Sequence, residues 1–318
     1  MTRVKFGLFL DVASYPLSYP QFKALTLRAE ALGYDSVWIC DHLYNGLDPV
    51  LECFTTLAAV APITERVRLG TLVISTPIRN PAVLAKMAAT LDVISEGRLE
   101  FGIGAGNNRN NEFEAYGIPL DTPRTRIKKL GEAVRLIRTL WTSDVATFTG
   151  EYYRIKDAVC KPKPVQTPHP PITIGGRGER YTIPLMARYA DRSHFYGSPD
   201  EFNRRLTVLR DHCRIAKRDF DAIEKTWACH ANVAVSEATL NRNLRGAYHR
   251  LPTRQRVPYD VWAAQFQPRC LTGTPDAAIT TIERYVDLGV TYVMLRFVDL
   301  PRDAGVTLFA EQVIPHFT

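Results

Sequence analysis

The residues best suited to chemistry in this 318-residue sequence stand just past short apolar runs. Asp41 and His42 follow the run Ser36 to Cys40 (SVWIC), and an imidazole there can donate a proton or hydrogen-bond a carbonyl near neutral pH. The plain alternative is a histidine that only pins a loop. Cys40 and His42 are two apart, as metal ligands can be, but no second His or Cys cluster completes a set, so no metal is expected. Gly175-Gly176-Arg177-Gly178, followed by Glu179, lies between a strand-like and a helix-like segment. Free backbone N–H groups and the positive end of a helix dipole favour a phosphate there. A tight strand-to-helix turn would need fewer glycines and no arginine. A third group follows GRLEFGIGAG, where Leu99, Phe101 and Ile103 alternate with Glu100, Gly102 and Gly104, and where Asn107, Asn108, Asn110, Asn111 and Glu112 gather hydrogen-bonding side chains. The glycines allow close approach to the backbone.

Familiar signatures are missing. Counted from Gly102, the sixth position of a G-x-G-x-x-G fingerprint is Asn107, so a dinucleotide-binding Rossmann turn is rejected. There is no G-x-x-x-x-G-K-[ST] and no G-x-S-x-G, which argues against nucleotide hydrolysis of the first kind and against a serine nucleophile of the second.

The elements that must position these residues alternate regularly. Strands are expected over Val4–Leu10, Ser36–Cys40, Val67–Ile74, Leu99–Gly104, Ile172–Ile174, Asp191–Tyr196, Thr226–Val235 and Thr291–Arg296. Helices are expected over Tyr19–Leu32, Val50–Ala61, from Pro81, over Arg124–Trp141, Glu179–Tyr189, Pro199–Ala216, Pro275–Leu288 and Leu308–Ile314. Thr147 to Pro171 reads as a hairpin and proline-rich arm, and Ser236 to Cys270 as a second, partly helical insertion. Eight strands alternating with helices imply a single α/β domain over residues 1–318, a (β/α)8 TIM barrel with insertions near 143–171 and 236–270. In such a barrel the strands' carboxyl ends share one mouth, which would collect Asp11, Asp41, His42, Leu72, Val73, Thr76, Asn107, Gly175 to Gly178, Tyr196, Arg296 and Phe297.

Hydrophobic residues make up 46% of the chain, enough for a full core. The first 16 residues hold one short apolar run ending at Asp11, and no stretch approaches 18 apolar residues, so neither secretion nor a membrane is expected. Six cysteines without a C-x-x-C pair read as ordinary thiols in a reducing cytoplasm. A net charge of +7, spread along the chain rather than in runs, suits a phosphate-bearing small molecule better than a nucleic acid.

Several separate segments resemble the luciferase-like superfamily of flavin- and deazaflavin-dependent oxidoreductases: YDSVWICDHL, TERVRLGTLVISTPIRNPAVLAKMAATLDVISEGRLEFGIGAG, EYYRIKDAVCKPKPVQTPHPPITIGGRGERYTIPLMARYAD and LGVTYVMLRF. The likeness covers nearly the whole chain and is greatest to the subgroup using coenzyme F420, an 8-hydroxy-5-deazaflavin. It implies the barrel and a cofactor across its mouth. Position by position, Asp41 and His42 match the family's Asp-His beside the reactive ring. Thr71, Leu72 and Val73 match a segment that carries a non-proline cis peptide, here between Leu72 and Val73, against the ring. Gly175 to Glu179 match the phosphate turn, and Glu112 matches a family glutamate. Many relatives carry Trp or Glu where this chain has Asn107, and an amide cannot serve as the proton donor that a carboxylic acid provides.

The resemblance implies an F420-dependent oxidoreductase moving a hydride between the deazaflavin C5 and a small organic substrate. His42, Asp41, Asn107 and Glu112 are its candidate catalytic residues, and Asp11, Tyr196, Trp262, Phe266, Arg296 and Phe297 are candidates for the substrate pocket. Two rivals stay open: an FMN-dependent monooxygenase fed by a separate reductase, and a protein that binds the cofactor without turnover. A homodimer is expected from the family habit.

Overall fold

Residues 3–13, 16–108, 111–251 and 256–318 are described by the computed structural model. The strands are β1 (Lys5–Leu10), β2 (Ser36–Ile39), β3 (Arg68–Thr71), β4 (Ile74–Ser75), β5 (Leu99–Gly104), β6 (Ala146–Thr149), β7 (Arg154–Ala158), β8 (Ile172–Gly175), β9 (Arg192–Phe195), β10 (Glu224–Val233), β11 (Cys270–Gly273) and β12 (Val290–Phe297). Parallel pairing runs β10, β12, β1, β2, β3, β5, β8, β9, and β9 pairs back to β10, which closes a barrel of eight strands. β4 continues the line of β3 onto β5, β11 adds to β10 outside the ring, and β6 with β7 form a separate antiparallel hairpin.

The outer helices start where their sequences say they should. Asn80, Thr122, Ser198 and Thr274 each precede a proline, and each side chain accepts a backbone N–H of the first turn of the helices Pro81–Ile94, Pro123–Thr142, Pro199–Ala216 and Pro275–Val286. An oxygen-bearing cap satisfies an orphan donor, and proline at the first position gives up an N–H the helix does not need. Apolar faces such as Leu130, Val134, Ile137 and Trp141 then pack on the strands.

Strand period two sorts the inward side chains into layers. The lowest is ionic: buried Glu100 accepts from Arg68 and Arg192, Arg192 reaches Glu224, and Lys5 Nζ lies 2.6 Å from Glu224. Above it Trp38 crosses the barrel between Gly7 and Gly70, and at either glycine a Cβ would collide with its indole. Its Nε1 donates to Ser36 Oγ at 2.6 Å, and its ring meets Tyr292 edge-on at 5.8 Å. Burying an indole removes about 200 Å² from water, worth roughly 5 kcal/mol. The lower barrel is therefore filled, which leaves the strands' carboxyl ends as the place where a site can form.

Beyond shifts of a few residues at element ends, the clearest departures from expectation are these. The segment Val67–Ile74 is interrupted where the Leu72–Val73 peptide is cis, as the resemblance implied. The helix expected from Glu179 begins at Thr182, leaving residues 179–181 as a turn. Cys270–Gly273 pairs with His230–Val233 as a strand too short to stand out in sequence. The second insertion supplies helices Glu237–Arg250 and Tyr259–Phe266.

Candidate active site

His42 lies just beyond β2, and Glu112 opens the short helix Glu112–Ala115 past β5. Asn111, at φ 60°, turns the chain into that helix. His42 Nδ1 is 2.8 Å from Glu112 Oε1, and Leu43 N donates to Glu112 Oε2 at 3.1 Å. The glutamate side chain is fully buried, whereas that of His42 is 18% exposed. A carboxylate oxygen accepts, so Nδ1 carries the proton and Nε2 is the nitrogen left unprotonated. The Tyr116 hydroxyl donates to Leu43 O at 3.0 Å, and Asn108 Oδ1 accepts from Phe113 N at 3.0 Å, so both flanks of the pair are held.

Asp41 faces elsewhere. Its carboxylate takes two bonds from Arg79, at 2.7 and 2.9 Å, and one from Ser75 N at 2.9 Å. Arg79 also reaches Glu52, which caps helix Cys53–Val60. Burial opposes the charge on Arg79, yet its bonds to Asp41 outweigh that and hold the guanidinium pKa above its ordinary value. Asp41 therefore ties the end of β2 to the segment after β4.

Between these groups lies a ledge. Thr71 Oγ1 donates to Gly102 O at 2.8 Å and accepts from Gly102 N at 2.9 Å, and Thr76 Oγ1 donates to Gly104 O at 2.7 Å. Leu72 N donates to Ile39 O at 2.8 Å. The Val73 side chain settles where three residues lack a Cβ: one added at Gly104 would lie 2.9 Å from Val73 Cγ2, one at Gly175 3.0 Å from Cγ1 and one at Gly102 3.1 Å from Cγ1. Ser75 Oγ, buried beside Gly106, has no hydrogen-bond partner.

Past β8, Gly176, Arg177 and Gly178 are exposed, and Gly178 O accepts from Thr182 N and Ile183 N at 2.9 and 3.0 Å. This anchors the start of helix Thr182–Tyr189, whose first turn has no side-chain cap. Glu179 Oε1 pairs with Arg204 at 2.8 Å.

The opposite wall is polar below and aromatic above. Asp11 accepts from Ala13 N at 3.2 Å and from Cys40 Sγ at 3.3 Å, and its Oδ2 pairs with Arg296. Arg296 donates in turn to His230. Burial, and then the charge of Arg296, hold the His230 pKa well below its ordinary value, so the ring is neutral and accepts. Phe266 meets His230 edge-on at 4.5 Å, and Trp262 stacks on Phe266 at 4.6 Å and 19°. Tyr196 stands edge-on to His194 at 5.0 Å.

One expected pocket residue is corrected. Phe297 follows Arg296 on β12 and so points to the other face, fully buried 5.7 Å from Phe309 in the layer between strand and helix. Asn107 is exposed at the rim, and Asn110 lies outside the described residues. His230, not among the residues expected at the mouth, lies on the same face of β10 as Thr226 and Ala228, four and two residues earlier, a relation the strand period makes readable. Among the described residues no group of three or more His, Cys, Asp or Glu could hold a metal ion, and no helix is long and apolar enough to cross a membrane.

The profile of the luciferase-like monooxygenase family matches residues 4–292. An F420-dependent glucose-6-phosphate dehydrogenase of Intrasporangium calvum is 31% identical over 91% of this chain and 92% of its own. One of Amycolatopsis mediterranei is 27% identical over 91% and 92%. Among solved structures, an F420-dependent secondary alcohol dehydrogenase with an F420-acetone adduct superposes with a TM-score of 0.83 at 24% identity, covering 99% of both chains. The F420-dependent tetrahydromethanopterin reductase of Methanopyrus kandleri gives 0.81 at 22%, covering 99% of this chain and 100% of its own. These two likenesses show the fold.

Proposed function

The chain belongs to the luciferase-like monooxygenase family, and from that premise we propose that it is an F420-dependent oxidoreductase whose reacting mouth is the one bounded by His42, Val73 and Arg296. The observation that carries the reading is the His42–Glu112 pair, which fixes an imidazole just past β2, at the same end of the barrel as the glycine-lined ledge. The named activity of the curated relatives supports the cofactor.

The residues present fit such a group. Gly102, Gly104 and Gly175 leave no Cβ around Val73, so a flat ring can rest on that side chain. The exposed turn of Gly176 to Gly178, ahead of a helix start, offers backbone N–H groups and Arg177 to a phosphate.

When bound, the deazaflavin supplies the carbon that takes up or returns hydride. For oxidation of an alcohol, with the hydride departing to the bound deazaflavin, His42 Nε2 would accept the O–H proton as the C=O bond forms. Reduction of a carbonyl runs the same steps backwards, with His42 giving the proton. Glu112 keeps Nδ1 protonated and the ring oriented, which leaves Nε2 as the exchanging site. Val73 would support the cofactor ring and the Gly176 to Gly178 amide turn would hold its phosphate, which limits the orientations in which a substrate can meet it. Asn107 takes no proton in this scheme.

The test is equilibrium titration of the purified protein with F420 and, separately, FMN, followed by quenching of each cofactor's fluorescence. Preference for F420 by at least about tenfold, or about 1.4 kcal/mol, is expected, and preference for FMN would overturn the reading in favour of the monooxygenase. His42→Ala then separates enzyme from carrier: the enzyme loses rate, whereas a carrier has none to lose. The same proposal includes a cytoplasmic homodimer, which light scattering checks for its oligomeric part.

A further inference from the structure

Trp262 and Phe266 belong to the insertion helix Tyr259–Phe266, and Phe266 meets His230, on β10, at 4.5 Å. They stack at 4.6 Å and both remain partly exposed, so the stack is a surface as well as a packing contact. Behind Trp262, Tyr248 and Tyr259 lie 5.5 and 6.2 Å away, and the Tyr248 hydroxyl donates to Val257 O at 2.8 Å, which fixes the outer end of the stack. At the inner end Phe266 leans on His230, which is bound through Arg296 to Asp11, and Asp11 in turn to Cys40, two residues before His42. The aromatic surface is thus linked by direct contacts to the strand end that carries the proton-transfer residue.

The charges along that route are balanced. Arg296 is paired with buried Asp11, and Arg79, on the other side of the His42 segment, with Asp41 and Glu52. His230, between the rings and Arg296, is neutral by virtue of its burial. A phosphate dianion is recognised by cations or amides whose charge is not already answered. A flat uncharged group is recognised by ring faces.

We propose that the Trp262–Phe266 surface binds an uncharged aromatic or alicyclic substituent of the substrate, placing a neutral alcohol or ketone rather than a sugar phosphate beside His42. This rests on the reading of the mouth as a deazaflavin oxidoreductase site, and it separates the chain from the substrate named for its curated relatives. The insertion is then a specificity device laid on a shared barrel.

Saturation-transfer NMR on the protein with F420 bound, titrated with acetophenone and separately with glucose 6-phosphate, tests the proposal. Saturable acetophenone binding is expected, weakened about tenfold or more by Phe266→Ala and several-fold by Phe266→Leu, which keeps bulk but removes the ring. Glucose 6-phosphate is expected not to saturate over the same range. F420 fluorescence quenching in the same samples should report a dissociation constant within about twofold of wild type. No saturable acetophenone binding, an acetophenone affinity unchanged in both variants, or tighter binding of glucose 6-phosphate would overturn it. If the wild type instead fails to bind F420, the cofactor reading falls, and the acetophenone titration without cofactor still decides the aromatic surface.

Discussion

His42 and Glu112, seventy positions apart in the chain, meet at 2.8 Å with the glutamate fully buried and its second oxygen holding the Leu43 amide. A carboxylate in that place selects the tautomer and aims the ring. His42→Ala is expected to lower kcat by about 10²- to 10⁴-fold, the usual contribution of a positioned acid or base. Glu112→Gln offers an amide in place of an acceptor pair and should lower kcat by about 10²-fold or more while changing KM little. Steady-state kinetics with F420 quenching as a binding control measures both. Equal losses in kcat and in F420 affinity would assign Glu112 to folding of the loop instead.

The glycine cradle makes a separate prediction. A Cβ at Gly104 would sit 2.9 Å from Val73 Cγ2, so the valine side chain must shift to make room and the surface it offers to a ring changes. Gly104→Ala should therefore weaken F420 binding by about tenfold or more, near 1.4 kcal/mol. A fluorescence titration that finds the wild-type dissociation constant would remove Val73 from the ring site.

Much of this architecture was legible in the sequence for identifiable reasons. Period-two runs and the repeated pairing of a capping residue with proline mark strands and helix starts locally, and the ends of Pro199–Ala216 agree to the residue. Local pattern does not carry contacts between distant loops. The bond of His42 to Glu112, the lock of Asp41 by Arg79 and the route from Asp11 through Arg296 to His230 all join separate strand ends, so they emerge only when the barrel closes. Phe297 shows the complementary failure: grouping it with Arg296 by position ignored the alternation that sends neighbours to opposite faces.

Glu100 should be the costliest single residue of the lower barrel. It is fully buried and pairs with both Arg68 and Arg192, so Glu100→Ala leaves two guanidinium groups without their shared acceptor. Breaking a buried pair in this way costs about 3–5 kcal/mol. Urea denaturation should show the midpoint falling at unchanged slope, and a loss under about 1 kcal/mol would mean that water or Glu224 replaces the lost partner.

His194 gives stability a slope with pH. Its Nδ1 is 2.9 Å from Thr226 Oγ1, which itself donates to Ser193 O at 3.1 Å, so the imidazole nitrogen donates. Its Nε2 is buried without a partner, and burial pushes the pKa down to about 3. The unfolded chain binds a proton at this residue near pH 6.5 and the folded chain does not, so stability falls as pH drops from about 6.5 towards 3. Two pH units below the unfolded value the loss from this residue is about 3 kcal/mol. His194→Gln should flatten the dependence of the urea midpoint on pH between 6.5 and 4.5 relative to wild type, and parallel curves would show that His194 is charged in the folded protein.

The last test concerns the sign of the charge at the mouth. Asp11 answers Arg296, and an asparagine has nearly the same shape but no charge, so Asp11→Asn leaves the guanidinium unbalanced by Asp11 while the Trp262–Phe266 stack stays in place. A positive charge so exposed to a bound anion is worth about 1–2 kcal/mol at moderate ionic strength, so affinity for glucose 6-phosphate should rise about tenfold. Acetophenone, being neutral, should bind within about twofold of wild type because the ring face it uses is unchanged. Raising the salt should erase the gain for the phosphate and leave acetophenone alone, since screening acts on charge and not on stacking. If glucose 6-phosphate affinity does not move, Arg296 is not accessible to substrate, and the selectivity of this mouth lies entirely in its aromatic surface.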